Sequence, residues 1–118
     1  MYVRKKLIHG KPRHSLVESY RDKATGRPRQ RTLAYLGQHE TLEKRLAFYK
    51  KQLRTWRRLR TLSLRDLRGL DESDAKYPHP RIREWNESRR RRIKRREAQL
   101  TKRIDKAESF IARFDELV

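Results

Sequence analysis

At 118 residues the chain has room for one ordinary domain, or a small domain with an appendage. It carries 34 Lys and Arg against 15 Asp and Glu, a formal charge of +19, while Leu, Ile, Val and Phe supply only about a fifth of it. These figures exclude a large enzyme and a broad globular core, and with no run of about 18 apolar residues they exclude a membrane span.

The first forty residues read as a basic β-module. Tyr2 to Ile8, Ser15 to Arg21 and Arg29 to Leu36 are rich in strand formers. His9 to His14 and Asp22 to Pro28 separate them, each with a Gly and a Pro. The spacing predicts a three-stranded antiparallel meander, closed by Gly37. Alternation along the strands suggests that Arg4, Lys6, Arg29 and Arg31 share one exposed basic face.

From Thr41 the period becomes helical. Thr41 is the expected N-cap, with Glu43 in the first turn. Leu42, Leu46, Tyr49, Leu53 and Trp56 then follow at steps of 4, 3, 4 and 3, a heptad seam that Leu59 and Leu62 continue loosely. Ser63 and Gly69 bracket a short second helix within residues 41–70. Residues 71–80, D-E-S-D-A-K-Y-P-H-P, read as a linker.

Residues 81–118 contain neither Gly nor Pro and predict one long helix. Its seam runs through Ile93, Glu97, Leu100, Ile104, Ala107, Ile111, Phe114 and Val118. A long helix alone in water is marginal, so it needs a partner. The linker permits an antiparallel, coiled-coil-like hairpin with the first helix; self-association into a homodimer through the same seam is the alternative. Trp56, and with it Trp85, is assigned to seam packing. The expected fold is therefore α+β: a small meander followed by a long helical hairpin.

The charge is unevenly spread. Residues 1–40 carry net +7 and residues 41–70 net +8, while 71–92 and 93–118 carry +2 each. Arg89 to Arg96 holds seven basic residues in eight, wrapping two turns of helix without a carboxylate. A second cluster contains Arg54, Arg57 and Arg58 beside Trp56. Arg forks phosphate oxygens bidentately, so this pattern points to a polyanion, DNA before RNA. The candidate contacts are Arg4, Lys6, Arg21, Arg27, Arg29, Arg31, Arg54, Arg57, Arg58, Arg89, Arg90, Arg91, Arg92, Lys94, Arg95 and Arg96. An RNA- or ribosome-associated binder, and a coiled-coil structural protein whose charge serves solubility, are the competing readings.

Catalytic and metal chemistry lack a signature. There is no cysteine, and His9, His14, His39 and His79 fall in or beside expected turns with no second ligand at helical spacing. No Gly-rich phosphate loop and no nucleophile elbow occur. No cofactor is expected. Met1 to Ile8 lacks the apolar core of a signal peptide, which places the chain in the cytoplasm, on the nucleoid if its partner is DNA.

One stretch has a family likeness. L-V-E-S-Y-R-D at 16–22, followed by G-R-P-R-Q-R-T-L-A-Y-L-G at 26–37, resembles the N-terminal segment of DDE-type insertion-sequence transposases. The resemblance covers residues 1–40. It implies a DNA-contacting leader, with Arg21, Arg27, Arg29 and Arg31 at the family's basic positions. In such transposases an RNase H-like domain with a metal-binding carboxylate triad follows. A chain of 118 residues has no room for that domain, so the expectation is DNA contact without cleavage.

Overall fold

A computed structural model describes all 118 residues. The element order is β1 (Tyr2–Ile8), β2 (Lys11–Arg21), β3 (Pro28–Gly37), α1 (Leu42–Lys76) and α2 (Pro80–Phe114), with a closing 3-10 turn at Asp115–Leu117. The three strands form one antiparallel sheet in the order β1-β2-β3. The fold is thus α+β, a meander followed by two long helices, as the sequence predicts.

Two compact units divide the chain, Met1–Phe48 with Arg113–Val118, and Tyr49–Ala112. In the first, β2 starts earlier than expected. His9 and Gly10 alone make the β1–β2 turn, with φ of 52° and 73°. Positive φ at both central residues is the tight hairpin turn whose twist matches the strands. Lys11 to His14 therefore belong to β2 and not to a loop. Pro12 is tolerated because it faces Leu7 at a non-hydrogen-bonded pair, and β3 does not reach beyond His14. His14 is accordingly a buried strand residue, its Nδ1 3.2 Å from the carbonyl of Gly37.

The β2–β3 turn is built by Asp22. Its carboxylate accepts from the Ala24 N–H at 3.0 Å, and its carbonyl accepts from the Gly26 N–H at 2.7 Å. Gly26 sits at φ 68°, and Gly37 ends β3 at φ 60°. Leu16, Val17, Leu36, Leu46 and Phe114 are the buried apolar residues of this unit. Leu16 and Val17 are neighbours in a regular strand, so β2 is covered on both sides at that point.

Thr41 caps α1, its Oγ1 accepting from the Lys44 N–H at 3.2 Å. The helix then runs unbroken for 35 residues, about 52 Å at 1.5 Å per residue. The expected break at Ser63 and Gly69 does not occur. Ser63 is buried mid-helix, and Gly69 is an exposed interior position. The expected linker shrinks to Tyr77, Pro78 and His79. Only the prolines break the helix: Pro78 pushes Tyr77 out of helical conformation, while D-E-S-D-A-K continues α1. Pro80 is the first helical residue of α2, where its missing N–H is harmless. His79 caps that end, its Nδ1 accepting from the Arg81 N–H at 3.2 Å.

In the second unit α1 and α2 pair antiparallel. Tyr49 meets Phe110 with ring centroids 4.9 Å apart. Arg57 reaches Glu108 at 2.8 Å, and Asn86 donates to Asp74 at 2.9 Å. The seam on α1 passes through Tyr49, Leu53, Trp56, Arg60, Ser63, Leu67, Leu70 and Asp74, all buried or half-buried. It keeps heptad steps but accepts Arg60 and Ser63, so Leu59 and Leu62 lie one residue off it and are exposed. On α2 the seam contains Asn86, Ile93, Glu97, Leu100, Ile104 and Ala107. Trp85 is one residue off it as well, and 68% exposed rather than packed. No helix is long and apolar enough to cross a membrane.

Candidate nucleic-acid interface

The register of the sheet sorts its charges by face. Arg4 pairs with Ser15 and Lys6 with Arg13, odd-numbered residues of β2. Arg31 pairs with Glu18 and Arg29 with Tyr20, which are even-numbered. Side chains of paired residues share a face, and neighbours along a strand alternate. Arg4 and Lys6 are therefore on one face and Arg29 and Arg31 on the other, which corrects the single basic face expected from the sequence. The cause is the register set at the β2–β3 turn, where Arg21 pairs with Pro28 and odd-numbered residues of β3 therefore face even-numbered ones of β2. An irregularity opposite Leu16/Val17 then inserts Leu33 and turns Tyr35 to the face of Ser15, and a second opposite His14/Ser15 inserts Leu36.

The two faces differ electrostatically. Arg31 donates to Glu18 at 2.9 Å and lies 5.4 Å from the Tyr20 ring centroid. Arg29 lies 3.3 Å from Asp22. The even face thus neutralises its own arginines. The odd face carries Arg4, Lys6, Lys11, Arg13 and Arg21 and not one carboxylate, and none of these cations forms an ion pair. At the hairpin end of this face Arg4, Lys6, Arg13, Ser15, Thr32 and Tyr35 line a concavity of about 520 Å³. Arg27 is exposed in the β2–β3 turn.

The helical hairpin shows the same sorting. Arg54 and Arg58 are exposed without an ion pair, whereas Arg57 is held by Glu108. Along α2, Arg89, Arg91, Arg92, Lys94, Arg95 and Arg96 are exposed and unpaired. Arg81, Trp85, Arg89, Arg92 and Arg96 recur at steps of 4, 4, 3 and 4, so they share one face of the helix.

Arg90 is the exception in its run. Its side chain is only 13% exposed, and it donates to Asp74 at 2.6 Å, Glu87 at 2.8 Å and Asp71 at 2.9 Å. Hydrogen bonding to Asp74 first, then to Glu87, raises its pKa further above an already high value. Asp74 is held below the ordinary carboxylate range by the hydrogen bonds from Asn86 and then Arg90. Arg90 is a clasp between the helices, not a free cation facing solvent.

Sequence reasoning misses Arg13 and Tyr35. The signal for Arg13 is the His9-Gly10 pair, a two-residue turn that draws Lys11 to His14 into a strand. Tyr35 stands in the sequence only as one residue of a basic strand; its 75% exposure depends on the β3 irregularities, which no spacing announces.

The family model described as IS1634 family transposase, N-terminal domain, matches residues 3–74. The match takes in β1 from Val3, all of β2 and β3, and α1 to within two residues of its end. No curated protein and no solved structure matches the chain.

Proposed function

The chain belongs to the family of IS1634 transposase N-terminal domains, and from that membership and its unneutralised basic surfaces we propose that it binds double-stranded DNA through phosphate contacts. In this reading the basic residues make the contacts, and Asp71 and Asp74 are structural, engaged by Arg90.

The observation that carries the reading is the contrast in pairing. Arg29, Arg31, Arg57 and Arg90 have carboxylate partners, while the odd face of the sheet and the exposed cations of residues 89–96 have none. A face evolved only for solubility intersperses both signs. Leaving one sign uncompensated raises self-repulsion, which a phosphate backbone relieves while releasing its counterions.

The test is a comparison of charge variants on duplex DNA. Replacing Arg91, Arg92, Arg95 and Arg96 together by Gln should weaken binding and lower the magnitude of the log–log salt slope by about one for each phosphate no longer neutralised. The same exchange at Arg29 and Arg31 should change affinity little. Equal effects from the paired and unpaired sets would count against the reading, as would tighter binding to structured RNA than to duplex at equal salt.

A further inference from the structure

We propose that the concavity on the odd face of the sheet is a site for an unpaired DNA nucleotide, with its base stacked on Tyr35 and its phosphates held by Arg4, Lys6 and Arg13. The inference rests on the DNA-binding reading above and names what part of DNA this surface takes.

Four observations support it. Tyr35 is 75% exposed, the most exposed large hydrophobic residue of the chain. Its cross-strand partner is Ser15, and Thr32 lines the same concavity, so small side chains border its ring. The row continues from Ser15 to Arg4 on β1, about 10 Å from β3 at the usual strand spacing. Lys6 and Arg13 form the next pair on the same face, and no carboxylate interrupts the group. An aromatic wall next to unpaired cations is the arrangement that takes single-stranded nucleic acid, because every base offers a π-face and every nucleotide a phosphate.

Shape argues against a duplex at this spot. Bases within a duplex present only their edges in the grooves, so the face of Tyr35 has nothing to stack on. A concavity of about 520 Å³ lies within the range of roughly 300–1,000 Å³ that takes small organic ligands. A base that has left the helix has the flat, partly apolar form this space accepts, and a strand end or an extrahelical base costs least to present. The exposed cations of α2 have no such wall beside them except at Trp85, which stands on a convex helix surface.

The experiment measures affinity of the full chain by fluorescence anisotropy for a blunt duplex, the same duplex with one extrahelical thymine, oligo-dT and oligo-U. Tyr35→Ala should weaken binding to oligo-dT and to the bulged duplex roughly 5- to 150-fold, the stacking contribution of one base converted at tenfold per 1.4 kcal/mol. It should leave blunt duplex binding nearly unchanged. Tyr35→Phe keeps the ring and should match the wild type on every probe. Because Tyr35 is exposed, the Ala variant should also keep the wild-type circular dichroism. Unchanged affinity of Tyr35→Ala for both unpaired probes overturns this inference and leaves the phosphate-contact reading standing. Oligo-U bound more tightly than oligo-dT overturns the assignment to DNA. Failure of the wild type to bind any probe overturns both readings.

Discussion

His39 and Arg90 show how single side chains are settled by their surroundings. His39 packs its ring on Phe48 with centroids 4.8 Å apart, and its Nε2 is buried without a hydrogen-bond partner. Burial first, then the charges of Arg45 and Lys44, lower its pKa from the ordinary 6.5. The unfolded chain therefore takes up a proton at a pH where the folded chain does not. The stabilisation is complete above about pH 6.5 and is lost as pH falls through the folded pKa below it. Urea midpoints between pH 7 and pH 5 should fall for the wild type, and His39→Phe should flatten that part of the profile. Asp74 acts in the same direction at lower pH, since its depressed pKa gives stability that disappears as the carboxylate is protonated. Arg90→Ala should lower the Tm by taking from the Asp74 carboxylate at the seam its guanidinium partner, and double replacement with Asp74→Ala should cost less than the sum of the two single losses. Additive losses would mean that the clasp is not a unit.

At the scale of elements the hairpin is held by a narrow seam, and its tolerance of polar residues explains what the sequence did and did not disclose. The strands, the Thr41 cap and the seam from Leu100 to Phe114 were legible because each rests on local chemistry: turn residues, a hydroxyl cap, and apolar steps of 3 and 4. The continuity of α1 was not. Ser63 and Gly69 imitate a helix boundary, and Asp71 to Asp74 imitate a linker, but Arg90 and Asn86 on α2 supply the partners that keep those carboxylates helical. Acidic groups at a helix C-terminus oppose its dipole, so only this tertiary contact accounts for their place. Gly69 makes the point measurable. An added Cβ there meets nothing within 4 Å, so Gly69→Ala should raise stability by about 1 kcal/mol. A helix boundary at Gly69 would give no gain or a loss. Ile104→Ala, at a fully buried seam position, should cost about 2–5 kcal/mol in the same denaturant titration. Trp85 and Leu59 depart from expectation for one reason: an apolar residue one place off a heptad seam reads like a member of it, and the register is fixed by the facing helix.

For the whole molecule the question is what +19 is for. The seam that could serve self-association is used within the chain over residues 49–112, so the hairpin needs no second copy to bury it. The charge is not spread as a solubilising coat either. Glu18, Asp22, Asp71, Asp74, Glu87 and Glu108 are placed against particular arginines, while the cations on the odd face of the sheet and the exposed ones of the α2 run have no carboxylate partner. The candidate site was therefore legible as composition and address, residues 1–40 and 89–96, but its facing was not, because the pairing register of the three strands decides which arginines look the same way. The family match over residues 3–74 agrees with a role in handling transposon DNA without stating which contacts are made. The most direct measurement is a salt titration of duplex binding by the full chain. With about six phosphates neutralised, log K should fall against log salt with a slope near −5. A slope near zero, with affinity retained, would contradict the account.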